Sequence, residues 1–168
     1  MKKLGKILLV AALAAAMVLP VFAAPSPTAD PQAAKDNAVV KVENAEVEVL
    51  EKEVHEEVVK VVTSQTHLKN LGVHPGAKLK AAFDLTVEIP TEQTSVSVPI
   101  EVKNAKQGDY AVVLHRRADG QWEKVGEGRL GKDMTVVATF TSFSPVAVLI
   151  VDAALADGGV KAPKTGEF

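Results

Sequence analysis

Residues 79–89, which read LKAAFDLTVEI, decide the fold of this chain. Apolar side chains occupy every second position of the segment: Leu79, Ala81, Phe83, Leu85, Val87 and Ile89. The positions between them are mostly polar or charged. Alternation with a period of two predicts an antiparallel strand that faces a hydrophobic core on one side and water on the other. Pro90 ends the pattern.

Five further segments downstream carry strand signals. We predict strands over residues 96–102, 110–117, 122–125, 134–140 and 144–151. Because Pro99 cannot donate a hydrogen bond to a ladder, the first of them is expected at a sheet edge. Asp119-Gly120 predicts a two-residue hairpin turn after the second, since both residues tolerate positive φ. A second hairpin is expected to join the third segment to the fourth.

Upstream of residue 79, the apolar residues first repeat with the period of a strand and then with the period of a helix. Ala45, Val47 and Val49 alternate with polar residues, which favours one more strand. From Glu51 to Val62 the apolar residues recur at helical spacing, which predicts a helix, and residues 66–71 suggest a further helical turn. The predicted fold is mainly β: an immunoglobulin-like antiparallel β-sandwich of six to seven strands with one N-terminal helix.

The predicted organisation is a signal peptide, a spacer and one domain with a tail. Residues 38–77 form a strand-helix element that packs on a sandwich core of residues 78–151, and residues 152–168 form a disordered tail. Residues 24–37 are rich in Ala, Pro, Ser, Thr and Asp with few large apolar side chains, so a flexible spacer is expected. The chain of 168 residues suffices for one well-buried domain.

The first 23 residues predict export. Three lysines precede an uncharged apolar run over residues 7–19, and the small-residue site Val21-Phe22-Ala23 follows. This order is typical of a secretory signal peptide, with cleavage between Ala23 and Ala24. The run is shorter than the roughly 20 residues that a membrane-spanning helix needs. We therefore expect a protein that is secreted or held at the cell surface, touching the membrane only through the uncleaved leader.

Charge and cysteine content narrow the function classes. Without the three leader lysines, 16 Lys and Arg remain against 21 Asp and Glu, a net charge of about −5. A negative chain disfavours nucleic acids and anionic lipid as partners. The sequence contains no cysteine, so disulfides, thiolate nucleophiles and cysteine metal sites are excluded.

Three motifs carry a resemblance to a known kind of module: Val113-Leu114-His115, Gly120-Gln121-Trp122 and residues 140–147, FTSFSPVA. The chain resembles the C-terminal β-sandwich module of exported surface proteins from anaerobic Gram-positive gut bacteria, the Firmicutes. The resemblance implies a surface location and a sandwich fold. It implies no particular activity.

Near the C-terminus, Pro163, Lys164, Thr165 and Gly166 resemble the Pro-x-Thr-Gly sorting signal of sortase substrates. In that family the enzyme cleaves after the threonine and joins it to the cell wall, which here implies attachment through Thr165. The motif departs from the family pattern at Ala162, where leucine is usual. The family's membrane-spanning segment and basic tail do not follow before Phe168, so the signal is expected to be degenerate or truncated.

Histidines and carboxylates do not form a recognisable catalytic or metal motif. His55-Glu56 begins like the zinc-protease helix motif, but Val59 stands where the second imidazole belongs. His67 and His74 could converge on a metal but have no third ligand at diagnostic spacing, and His115 is interpreted as a solvated or edge residue. We expect no cofactor, no metal and no enzyme activity. A small hydrolase, with carboxylates or histidines converging in a cleft, is a third hypothesis.

The exposure of the Trp122 side chain distinguishes two functional hypotheses. A mostly buried indole indicates packing and fits our main hypothesis, a non-enzymatic surface module with a structural, spacer or adhesion role and an unknown protein or glycan partner. An exposed Trp122 beside Tyr110 would instead form a platform for sugar rings, as in a carbohydrate-binding module. Lys80 and Asn104 are also conceivable partners for an intramolecular isopeptide bond.

Overall fold

The structure, a computed structural model, describes residues 29–158, which form two antiparallel sheets and four short helices. The elements in chain order are α1 (Pro31–Asp36), β1 (Ala38–Val40), β2 (Glu46–Glu48), α2 (Lys52–Thr63), α3 (Gln65–Asn70), β3 (Lys78–Thr86), β4 (Val96–Val102), β5 (Tyr110–Arg116), β6 (Trp122–Arg129), β7 (Thr135–Phe140), β8 (Pro145–Val151) and α4 (Ala153–Gly158). The predicted mainly β sandwich is confirmed, with eight strands instead of six or seven. The predicted signal peptide, its cleavage site at Ala23 and Ala24, and the sorting-like residues 163–166 lie outside the described residues.

The two sheets differ in size and in what covers them. The open sheet has three strands in the order β1-β4-β7, and the helix-covered sheet has five in the order β2-β3-β8-β5-β6. Between the sheets lies the main core, which contains Phe83, Ile100 and Phe140, all fully buried. The predicted alternation of β3 supplies this core from one face. A bulge between Leu79 and Ala81 moves Leu79 to the opposite, helix side.

A second core lies between the helix-covered sheet and the helices. Val58 and Val62 of α2 and Leu68 of α3 pack there with side chains from β3, β5 and β8, including Leu114 and Leu149. The predicted helix over residues 51–62 is confirmed as α2, and the predicted turn as α3. None of the helices within residues 29–158 is long and apolar enough to cross a membrane.

Two segments expected to lack structure contain helices. In the predicted spacer, Asp30 caps α1 by accepting a hydrogen bond from the Gln32 amide at 2.8 Å, and Pro31 takes the first helical position. Ala34 is fully buried against the second core. The spacer prediction is therefore wrong for residues 31–36, because a cap and one small buried side chain suffice to dock this turn. The predicted tail likewise begins with α4.

β4 is not an edge strand, contrary to the prediction from Pro99. It pairs with β7 on one side and with β1 on the other. The N–H and C=O of a strand residue point to the same neighbour, and the Pro99 carbonyl accepts from Lys41, just beyond the end of β1. The missing N–H of Pro99 thus faces the point where the β1 ladder stops. Proline is tolerated because the ladder ends with the Lys41–Pro99 bond, so only one hydrogen bond at the end of the ladder is missing.

The hairpin between β5 and β6 is confirmed, but its turn is longer than predicted. The Gly120 amide donates to the Arg117 carbonyl at 2.9 Å, and the Arg117 amide donates to the Gln121 carbonyl at 2.8 Å. Gly120 has φ +81°, the left-handed conformation expected after a type I turn in a three-residue hairpin loop. Trp122 consequently lies opposite Arg116.

The second predicted hairpin is wrong. β6 continues to Arg129, and β7 pairs with β4 in the other sheet, so the chain crosses between the sheets after β6. Gly126 lies where β6 passes β7: a Cβ there would be 2.5 Å from the Val137 carbonyl oxygen. Gly126 and Gly128 belong to β6, and Gly126 is required by this close approach.

Both ends of the described sandwich lie at one pole. Successive strands run in opposite directions, so a chain of eight strands leaves where it begins. Asn37, before β1, and Asp152, after β8, line the same cavity of about 540 Å³. We call this end the chain-end pole. The loops over residues 41–45, 87–95, 117–121 and 141–144 form the opposite end, the loop pole.

Candidate functional site

At the loop pole, a buried histidine links a serine to a carboxylate. His115 of β5 is 1% exposed, and its Nδ1 lies 3.2 Å from Glu123 Oε1 on β6. Its Nε2 lies 2.9 Å from the Oγ of Ser144, just before β8. The ring also packs edge-on against Phe140 with centroids 5.7 Å apart. The prediction that His115 is a solvated or edge residue is wrong.

The order serine, histidine, carboxylate is that of a hydrolase triad, but the hydroxyl has a competing acceptor. Ser144 Oγ also donates a hydrogen bond to the Arg116 carbonyl. A hydroxyl has one proton to donate. When the proton goes to the carbonyl, His115 does not act as base towards Ser144. The buried imidazole forms a polar cross-link between β5, β6 and the start of β8.

A second polar cluster surrounds Tyr110 near the chain-end pole. It borders a cavity of about 510 Å³ between the α3–β3 connection, β5, β6 and α4. Partial burial raises the pKa of the Tyr110 phenol above its usual 10.0, and the neighbouring Glu127 carboxylate raises it further. Arg129 lines the same cavity and donates to the Gly108 carbonyl at 2.9 Å.

A third cluster, which we call the Trp122 cavity, lies between α2, α3 and the β5–β6 hairpin. Its volume is about 310 Å³, and its lining residues are Glu57, Val61, His67, Asn70, Leu71, Gly120, Gln121 and Trp122. Trp122 is half-buried and packs against the core beneath the helices. Its Nε1 is buried and has no hydrogen-bond partner among residues 29–158. The Trp122 side chain thus both packs against the core and lines the cavity.

Trp122 and Tyr110 do not form a common platform. Both lie on the helix-covered side of the sheet, but their β5 register positions, 116 and 110, are six residues apart. At about 3.4 Å per residue this is a separation of roughly 20 Å. They line different cavities. The sequence identified both residues as candidates, but it could not show that they lie at opposite ends of β5.

The other predicted positions are also dispersed. His67 lines the Trp122 cavity, whereas His74 lines the Tyr110 cavity and accepts from the Gly76 amide at 3.0 Å. Lys80 Nζ does reach Asn104, but it donates to the backbone oxygen at 2.8 Å and not to the side chain. Within the described range, no three histidine, aspartate or glutamate side chains are grouped to hold a metal ion.

These features define an antiparallel β-sandwich protein with one helix-covered sheet. Comparison with protein-family models, curated proteins and solved structures finds no match to this chain. The functional argument therefore depends on its own geometry.

Proposed function

We propose that this protein is an exported, non-enzymatic adhesion module of the cell surface that is held by its chain ends and binds through its loop pole. One observation carries the proposal: residues 37 and 152 lie at the same end of the sandwich. A module tethered there exposes four loops at the far end, as recognition loops are exposed at one end of other sandwiches. A spacer that links its neighbours end to end would instead have its two chain ends at opposite poles.

Supporting features come from the sequence and from the polar cross-link at the loop pole. The N-terminal 23 residues have the order of a secretory signal, and the resemblance to Firmicutes surface modules favours the same compartment. The resemblance of residues 163–166 to a sortase sorting signal favours attachment to the cell wall at the C-terminal end. The Ser144–His115–Glu123 chain fixes the base of two loops at the loop pole, which keeps a recognition surface in one shape.

Orientation tests the adhesion role directly. The chain has no cysteine, so Asp152→Cys and Asp119→Cys each introduce one attachment point, the first at the chain-end pole and the second at the loop pole. Beads that carry the protein through residue 152 should adhere to a mucin-coated surface more strongly than beads that carry it through residue 119. Equal adhesion in both orientations, or none in either, would contradict the proposal.

Export is tested separately by expressing the full chain in a Gram-positive host. We expect the protein in the medium or wall fraction with Ala24 as its first residue. Retention of the unprocessed chain inside the cell would contradict a surface role and would leave the fold unaffected.

A further inference from the structure

We infer that the Trp122 cavity is a binding site for a neutral sugar ring, such as the terminal residue of a glycan. The inference rests on the proposed adhesion function and names the ligand class of its recognition surface. Two lining residues, Gly120 and Gln121, belong to the hairpin at the loop pole. The site therefore stays reachable when the module is held by its chain ends.

The lining has the chemistry that recognises a sugar. A pyranose presents apolar C–H faces and hydroxyl edges, so its receptor needs an aromatic surface together with planar polar groups. Trp122 supplies the indole, which is large and only half-buried. Asn70 and Gln121 supply amides, each with two donors and an acceptor, and His67 adds an imidazole.

Charge distinguishes a neutral ligand from an ionic one. The only acidic residue in the lining, Glu57, is 3.2 Å from Arg116 Nε and is thereby compensated. Uncharged donors and acceptors remain for the ligand. The Tyr110 cavity differs, because Lys69, Glu127 and Arg129 line it. An uncharged hydroxylated ring thus fits the Trp122 cavity better than a phosphate, a carboxylate or an amine does.

The size of the cavity limits the size of the ligand. The volume of about 310 Å³ lies at the small end of the range for ligand pockets, roughly 300–1,000 Å³, so one ring fits better than a chain of rings.

The single tryptophan makes binding measurable at the site itself. We would titrate the full chain with glucose, galactose, mannose and N-acetylglucosamine while following its emission. At least one sugar should shift the emission to a saturating end point. Gln121→Ala and Asn70→Ala should each weaken that affinity about three- to tenfold, the effect expected for one lost hydrogen bond. Tyr110→Phe is the matched control, because it changes the other cavity and should leave the affinity unchanged.

Trp122→Phe tests the contribution of the indole while an aromatic ring remains in the cavity. Calorimetry with the best sugar should show affinity reduced about tenfold, with circular dichroism unchanged. Absence of a saturable signal with all four sugars, or undiminished binding by the Asn70→Ala/Gln121→Ala double variant, would overturn the inference. If beads that carry the protein through residue 152 still adhered more strongly in that case, the adhesion function would stand without the sugar site. If the chain binds a sugar but the beads adhere equally in both orientations, the adhesion function is contradicted and the sugar site is not.

Discussion

The two sheets of this sandwich are built by the same antiparallel pairing, yet their strands have different sequence patterns. β7, in the open sheet, alternates between buried and exposed residues, and Val137 on its outer side is 53% exposed. β8, at the centre of the helix-covered sheet, is buried from Val146 to Val151. The difference arises because helices cover the outer face of one sheet only. A continuous apolar strand therefore indicates two-sided burial even where every neighbour is antiparallel.

The first prediction compares the outer faces of the two sheets. Leu149 is fully buried under the helices, so Leu149→Ala should lower the free energy of unfolding by about 2–5 kcal/mol. Val137→Ala, on the uncovered face, should cost less than about 1 kcal/mol, the span of β-propensities. Urea denaturation measures both. Similar losses of unfolding free energy for the two variants would show that the helices do not cover the outer face of the larger sheet.

The second prediction concerns the close approach of β6 to β7 at Gly126. In Gly126→Ala the new methyl group would meet the backbone of Val137 and Ala138 at 2.5–2.7 Å, so β6 and β7 must separate. We expect a loss of about 1–3 kcal/mol, as for other overpacked sites.

Gly128→Ala is the control for this close approach, because its Cβ would have no neighbour within 4 Å. It should be neutral or slightly stabilising in thermal unfolding. A neutral Gly126→Ala would mean that β6 does not cross β7 as described.

The third prediction concerns the cross-link at the loop pole. Ser144→Ala removes a donor to the Arg116 carbonyl and a partner of His115, and should cost about 1–2 kcal/mol in chemical denaturation. Ser142→Ala, at an exposed position of the same loop, should stay within about 0.5 kcal/mol of the parent.

A catalytic role for the same serine would give another result. Esterase activity of the parent chain towards p-nitrophenyl acetate that disappears in Ser144→Ala, with stability unchanged, would assign the triad to catalysis and not to the fold.

The smallest expected effect is the titration of Tyr110. Because the fold raises the pKa of the phenol, the neutral form is favoured in the folded state. The associated stability is complete below the ordinary tyrosine pKa of about 10 and is lost as the pH rises through the folded value. Tyrosinate absorbance reports this residue alone, since the chain has one tyrosine.

Glu127 provides the control for that titration. Glu127→Gln removes the neighbouring negative charge and should move the midpoint down towards the ordinary value. A parent midpoint equal to that of the urea-unfolded chain would contradict the raised pKa.

The sequence predicted the sandwich because period-two alternation is local, and the burial of β4 and β7 follows it. It could not predict features that depend on distant partners. The Pro99 rule failed because β1 is short enough to end beside the proline. The burial of His115 could not be predicted, because its partner Ser144 lies 29 residues further along the chain.

The candidate site was predictable in part for the same reason. Trp122 stood out as the sole tryptophan next to a hairpin signal. The residues that enclose it with Gln121 come mainly from α2 and α3, Asn70 and His67 among them, and only helix docking brings them to the hairpin. The expected partner, Tyr110, was wrong because β5 separates the two positions by its own length.

The central claim is that both described chain ends share one pole, and a distance measurement tests it most directly. Spin labels on Asp36→Cys and Asp152→Cys should lie closer together than labels on Asp36→Cys and Asp119→Cys, which span the sandwich along strands of about 20 Å. Pulsed electron paramagnetic resonance resolves the two distributions. The account predicts the shorter distance for the 36/152 pair; equal distances, or the reverse order, would contradict it.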